Sequence, residues 1–268
     1  MLPSKIIRFT NSFVNSYPSI RHTVTTWRSP LIGFASASDP LFERLPYVVK
    51  GHLHPSDLID DAETVIAFFI PFTYKTVYSN VNGRYASKLW AIAYVETNKL
   101  LTDLAAGIVD LLRSEGFRAE APPPTHVFNE ETLTSNWSHK HVAYIAGLGT
   151  FGVHHMIITE KGCCGRLTSI VTNAKIKPTP RPENEFCLHK SGVKCLKCVE
   201  KCIFKALTEN KLNKHKCYKV CLENAKHYEE LGVADVCGKC VAATPCSLEN
   251  PVKNRNKPFP RKRVSIKS

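Results

Sequence analysis

The eleven cysteines of this chain all fall between Cys163 and Cys246, and their spacing constrains the fold more than any other feature. They run Cys187-x7-Cys195-x2-Cys198-x3-Cys202, then Cys217, then Cys237-x2-Cys240-x5-Cys246. One 4Fe-4S cube takes four thiolates. In two-cluster ferredoxins the fourth cysteine of the leading run ligates the other cluster, so the two motifs interlock. On that rule Cys187, Cys195, Cys198 and Cys246 make one ligand set, and Cys202, Cys217, Cys237 and Cys240 make the second. Cys163, Cys164 and Cys221 are left over, and Ile203 stands where such runs carry proline.

Three other readings compete. Disulfides belong to secreted chains, and CxxC runs in a cytosolic chain point instead to metal or redox work. Zinc is the stronger rival, because paired CxxC units also build tetrahedral all-cysteine sites. The x2 then x3 spacing from Cys195 to Cys202 crowds three sulfurs into two turns of chain, which suits a cube shared between motifs better than two distant pairs. A single cluster is the third alternative.

The N-terminus (MLPSKIIRFTNSFVNSYPSIRH) has no continuous apolar stretch and no small-residue cleavage site. The longest apolar runs, such as Val65 to Phe72, are far too short to span a bilayer. A cytoplasmic protein with no membrane partner is expected, and oxygen-sensitive clusters fit that reducing compartment. The net charge of +13 is unevenly spread: from Lys175 onward there are 21 Lys and Arg against 9 Asp and Glu, and before it 15 against 14. The excess sits with the cysteines and the tail, where it offsets anionic clusters or steers a polyanion such as RNA or an acidic redox partner. A merely solvated basic surface explains it equally well.

Along the chain, Ile6, Ile7, Phe13 and Val14 suggest one face of a short amphipathic helix, followed by an extended segment from Trp27 to Pro40. A helical turn interrupted at Pro46 and a helix start at 55–61 come next. Thr64 to Phe72 reads as a strand buried on both faces. Residues 86–115 carry the strongest helical pattern, with Leu89, Ile92, Val95, Leu100, Leu104, Ile108 and Leu111 on one face and Gly116 as the stop. A brief strand from Phe117 and a helix near Trp137, capped by Ser138, follow. MIITE from Met156 and LTSIVT from Leu167 flank the KGCCG turn and suggest a hairpin. Lys177 to Glu185, rich in proline, reads as a linker.

Outside the cysteines, Gly147, Gly149 and Gly152 match GxGxxG, but the context is wrong for a dinucleotide site. The pattern leaves a helix, enters a strand, and meets Glu160 too early for a ribose contact. A turn that lets backbone approach a cofactor, or two elements packing closely, explains it better. His139 and His141, at i and i+2 on a helix, do not share a face, so they read as hydrogen-bonded polar histidines. Glu130 and Glu131 read as solvated loop acids, Cys163 and Cys164 as half-buried thiols, and Cys221 as packing beside Cys217.

Asn136 to Gly152 (NWSHKHVAYIAGLGTFG), KGCCGRLTS from Lys161, and the cysteine array with DVCGKC ending at Cys240 together resemble the epoxyqueuosine reductase-like family. These are iron–sulfur and corrinoid enzymes related to reductive dehalogenases. The likeness runs loosely from about Trp27 to Cys246, and the cysteine and AGLGTFG motifs are its specific parts. It implies that electrons pass through two 4Fe-4S clusters on the eight assigned cysteines to a base-off cobalamin, whose cobalt removes the epoxide oxygen of a tRNA-borne nucleoside. It also implies that Gly147, Gly149, Thr150 and Gly152 lie beside the corrinoid, that a reduced ferredoxin or flavodoxin donates the electrons, and that tRNA is a partner. Two positions depart from the family pattern. No aspartate lies between Asp110 and Asp235, where the family has a proton donor shortly before the glycine turn, and Cys187-x7-Cys195 replaces the usual x2.

The expectation is therefore a short, divergent branch of that family. Its fold class is α+β, with an α/β-like reductase domain over 1–176, a ferredoxin-like double-cluster domain over 177–250, and a basic flexible tail over 251–268. Its activity is reductive removal of a leaving group. The alternatives are a non-catalytic two-cluster electron-transfer protein, or activator of a corrinoid protein, and a zinc-stapled RNA-binding protein.

Overall fold

An unbroken apolar, β-branched run needs cover on both sides, and residues Thr64–Pro71 are buried at every position. This strand organises the fold in the computed structural model, which describes residues 1–124 and 127–254. The expected tail lies outside the described residues from position 255 onward. The elements in order are α1 (Leu2–Arg21), β1 (Leu31–Ser36), α2 (Pro40–Val48), α3 (Pro55–Leu58), β2 (Thr64–Pro71), α4 (Tyr74–Ser79) and α5 (Lys88–Ser114). They continue with β3 (Ala119–Glu120), α6 (His139–Ile145), β4 (Gly149–Phe151), β5 (Ile157–Thr159), β6 (Gly165–Thr172), α7 (Lys197–Lys201) and α8 (Lys214–His227).

The main sheet has the order β1-β2-β6-β3, with β2 and β6 paired from Thr64 opposite Thr172 to Pro71 opposite Gly165. Side chains alternate across a strand, so β2 serves two cores. Ile66, Phe68 and Ile70 pack with Ile6 and Val14 of α1 and with Leu100, Leu104 and Ile108 of α5. Val65, Ala67 and Phe69 pack on the opposite face with Phe42 of α2 and with Val142 and Ile145 of α6. The first core continues without a break into Cys187, Cys198, Leu207, Tyr228 and Val241, so the cysteine-rich segment rests on the α5 side of the sheet.

α5 starts where the Ser87 hydroxyl accepts the Trp90 amide at 3.1 Å, and it stops before Gly116, which takes φ +85°. Its buried face is Trp90, Tyr94, Thr97, Leu101, Leu104, Ile108 and Leu112. The expected Leu89, Ile92 and Val95 are only half-buried, because the first turns of α5 point Trp90 and Tyr94 at the cysteine segment.

Several expectations are corrected. Every strand pair among the described residues is antiparallel, so the α/β-like character is absent and the fold is α+β. Burial on both faces does not distinguish a parallel strand from an antiparallel one covered by helices on both sides. α1 is 20 residues long and buries Ile6, Thr10, Val14 and Tyr17, while Ile7 is 41% exposed. α2 runs through Pro46, held by the Asp39 cap on the Leu41 amide and by burial of Phe42 and Leu45. The hairpin does not form. β5 pairs with β4 in a separate two-stranded sheet, and β6 pairs with β2 and β3. The proline-rich segment is pinned along β1, where the Thr179 amide donates to Phe34 O at 2.8 Å and its hydroxyl accepts the Phe34 amide at 3.1 Å. Among the described residues no helix is long and apolar enough to cross a membrane.

Candidate functional site

Two cavities receive the eight assigned cysteines. Cys187, Cys195, Cys198 and Cys246 line the first, together with His154 and Thr244. Cys202, Cys217, Cys237 and Cys240 line the second, about 290 Å³, which also exposes Cys163, Cys164 and Cys221 to its interior. The short helix α7 divides the two sets. Cys198 lies in its first turn, and Cys202 is its C-cap, where the chain leaves helical geometry and turns to the other cavity. The extra residues between Cys187 and Cys195 fold into their own turn, with the Ser191 amide on Cys187 O at 2.9 Å and Gly192 at φ +87°. That turn absorbs the long spacing and still brings Cys195 to the first cavity.

Backbone donors point at the sulfurs. The Ala206 amide reaches Cys202 Sγ at 3.3 Å, and the Lys197 and Lys239 amides reach Cys195 and Cys237. Such donors favour thiolate. Burial and the neighbouring thiolates act in the opposite direction: Cys198 is pushed up to about 12, and Cys195, Cys237 and Cys240 are also raised, with burial the largest cause in each. Cys217 alone is lowered, to about 7, because Cys221 one turn along α8 hydrogen-bonds to it. Four crowded thiols, buried or half-buried and equipped with N–H donors, are a ligand set that ionises fully when a metal centre takes up the charge. Trp90 adds a second sign. Its Nε1 is buried without a hydrogen-bond partner among the described residues, and the ring lines the second cavity. A sulfur acceptor held by the four cysteines would satisfy it.

Cys163 and Cys164 are fully buried, at 3% and 1% exposed, not half-buried as expected. The KGCCG turn lies along the end of the array, with the Cys163 amide on Cys246 O at 2.9 Å and the Cys164 amide on Ser247 O at 3.0 Å. Gly162 takes φ +84° there, where a Cβ would collide with Ser247 and Leu248.

The glycine turn is used within the chain. Gly147 takes φ +75°, and a Cβ on it would stand 2.7 Å from Pro180 O; one on Gly149 would overlap Ile158 O across the β4–β5 pair. Thr150 is buried and accepts the Phe186 amide at 2.8 Å, one residue before Cys187. Of the four residues assigned to a corrinoid, Gly152 lines an open cavity of about 340 Å³, beside Lys140, His141 and His155. Lys140 and His141 also line an adjoining cavity of about 440 Å³, whose far wall is Cys217, Cys221, Tyr218 and Asp235. A groove therefore runs from the glycine turn to the second cysteine set. Asp235, far from the turn in sequence, reaches this wall and accepts the Tyr94 hydroxyl at 2.7 Å. Lys140 is held below the usual ammonium range by burial and by Lys214.

His139 and His141 diverge as expected. His139 Nε2 lies 2.9 Å from Pro123 O and its Nδ1 2.8 Å from Ser169 Oγ, which ties it to the sheet, whereas His141 faces the groove. Burial lowers both to about 4. Glu130 and Glu131 are exposed.

The fold is that of a reductase class in which an α+β core carries a cysteine-rich segment. More particularly, the chain has the fold of epoxyqueuosine reductases and reductive dehalogenases. An epoxyqueuosine reductase in complex with an epoxyqueuosine-modified tRNA-Tyr stem loop aligns over 92% of this chain and 65% of its own, at TM-score 0.59 and 20% identity. The enzyme from Bacillus subtilis, with its aspartate catalytic loop swung out of the active site, aligns over 90% and 66%, at TM-score 0.55 and 17% identity. The catabolic reductive dehalogenase NpRdhA, in complex with 3-bromo-4-hydroxybenzoic acid, aligns over 84% and 31%, at TM-score 0.58 and 16% identity. The chain thus spans about two thirds of the epoxyqueuosine reductases and under a third of the dehalogenase. No protein-family profile matches the sequence, and no curated protein matches it either.

Proposed function

We propose that this chain is an iron–sulfur reductase. Cys187, Cys195, Cys198 and Cys246 would hold one 4Fe-4S cluster, and Cys202, Cys217, Cys237 and Cys240 a second, in a ferredoxin-like unit over 177–250 packed on a reductase unit over 1–176. The observation that carries this reading is the partition of the eight cysteines between two cavities, with Cys202 and Cys246 each crossing to the other motif's set. The groove from Gly152 to Cys217 would take a corrinoid. Its cavities of about 340 and 440 Å³ fall in the size range of cofactor sites, and it reaches Cys217 of the second set. When bound, these groups supply one-electron transfer and reductive removal of a leaving group.

The chain's own residues position and protonate. Asp235, Tyr218 and Lys140 line the groove together, and Asp235 would take the part of the missing family aspartate. The basic excess from Lys175 onward favours a polyanionic partner, with tRNA the form suggested by the structural neighbour. It also favours an acidic electron donor such as ferredoxin or flavodoxin in the cytoplasm.

The test adds cob(II)alamin to anaerobically reconstituted full-length protein and records the absorption spectrum. A shift to the base-off form, lost on filling the groove with Ser138→Trp, supports the reductase. An unchanged spectrum in a protein that carries both clusters leaves the electron-transfer reading in its place.

A further inference from the structure

Cys246 returns to the first cysteine set from the far end of the array, and its sulfur meets three polar side chains. His154 Nε2 lies 3.4 Å from it, Thr244 Oγ1 lies 3.3 Å from it, and the Cys246 thiol donates to Cys163. The direction of the histidine contact is fixed by its other nitrogen. His154 Nδ1 accepts the Met156 backbone amide at 3.1 Å. A ring nitrogen that accepts an amide proton carries none of its own, so the proton of the neutral ring sits on Nε2 and points at the sulfur. Thr244 has one hydroxyl proton, for which Val241 O at 3.2 Å and the sulfur at 3.3 Å compete. Of the three side chains, His154 is the one whose other hydrogen bond fixes it as a donor to the sulfur.

The surrounding chain is shaped for this contact. A Cβ on Gly152 would stand 2.7 Å from both Cε1 and Nε2 of His154, so the last glycine of the GLGTFG turn leaves the space that the imidazole occupies. His155 takes φ +61°, a left-handed conformation that a residue other than glycine adopts at a cost, and this turns the Met156 amide back onto His154 Nδ1. His154 is 5% exposed, so the bond is shielded from bulk solvent.

We propose that His154 is a positioning residue for the cluster held through Cys246. Its Nε2–H withdraws charge from that thiolate, raises the reduction potential of that cluster, and so makes the two clusters electrochemically distinct; the GLGTFG turn and the left-handed His155 hold the ring in place. The inference rests on the reading of Cys246 as a cluster ligand. Hydrogen bonds to cluster sulfurs are among the factors that set potential, and outer donors to ligands tune a metal site from a distance.

Potentiometric titration followed by electron paramagnetic resonance, on anaerobically reconstituted full-length protein, tests it. His154→Leu removes the donor and should move one of two midpoints to lower potential while leaving the other in place. His154→Gln, whose amide can donate, should recover part of the shift. Two unmoved midpoints in a His154→Leu protein with full iron content would overturn the proposal and leave the cluster reading intact. Should His154→Leu lose iron, wild-type protein labelled with 15N-histidine decides the matter. A 15N hyperfine coupling on one reduced cluster is the expected result, and its absence overturns the proposal. A chain that binds zinc and no iron fails at the earlier step, which separates the two claims.

Discussion

Gly238 lies between Cys237 and Cys240, and its substitution by alanine tests how the cysteine segment is seated on the rest of the fold. The residue takes φ +68°, and a Cβ there would collide with Cζ2 of the Trp90 indole. Trp90 is 3% exposed and packs edge-on against Phe72 with ring centroids 5.2 Å apart, so the ring can yield only into the second cavity. Gly238→Ala therefore incurs two costs. Left-handed backbone costs an L-residue about 1–2 kcal/mol, and overpacking a filled core costs about 1–3 kcal/mol, so the expected destabilisation is about 2–5 kcal/mol. Urea unfolding followed by circular dichroism under anaerobic conditions measures it. The two costs separate in a Trp90→Ala background, where only the backbone cost of about 1–2 kcal/mol should remain. Iron content should fall by about half, because displacement of the loop moves two thiolates of one four-cysteine set. An equal cost of Gly238→Ala in both backgrounds would refute the argument that the indole occupies that space.

Asn224→Ala should destabilise the protein by about 1–3 kcal/mol, since the fully buried Asn224 Oδ1 accepts the Ala86 amide at 2.6 Å and the alanine leaves that amide unpaired; an unchanged urea midpoint would contradict this. Cys221→Ala should retain full iron and Cys217→Ala should lose about half of it; the reverse pattern would reassign the ligand on α8. Acid stability should follow His139 and His141, which titrate near 4 in the folded chain against an ordinary 6.5. Between those values the unfolded state binds more protons, so their contribution is complete above pH 6.5 and is lost as pH falls towards 4. His139→Gln should flatten that fall in a pH series of urea midpoints, and an unaltered slope would show that His139 is not held neutral.

The grouping of the eight cysteines into two cavities was legible because it follows local spacing: x2 and x3 around one short helix, and CxxC in one loop. Thr64–Pro71 was legible because an eight-residue buried run has few places to go. What the sequence hid is non-local. The KGCCG turn resembles a hairpin loop, yet the segments on either side pair with β4 on one side and with β2 and β3 on the other. Cys163 and Cys164 looked idle because their partners, Cys246 and Ser247, lie at the far end of the array. The missing aspartate was a true absence along the chain, yet Asp235 returns to the groove from the cysteine segment. The glycines near 150 read either as a cofactor loop or as two elements packing closely, and only the folded chain supplies the close partners, Pro180, Ile158 and His154. Glycine records that something must come close without recording what.

The central claim is that eight cysteines hold two clusters, and metal analysis tests it most directly. Full-length protein purified without oxygen should carry about eight irons and about eight acid-labile sulfides per chain, and Cys202→Ala should lose about half of each. Stoichiometric zinc with no iron or sulfide would contradict the account.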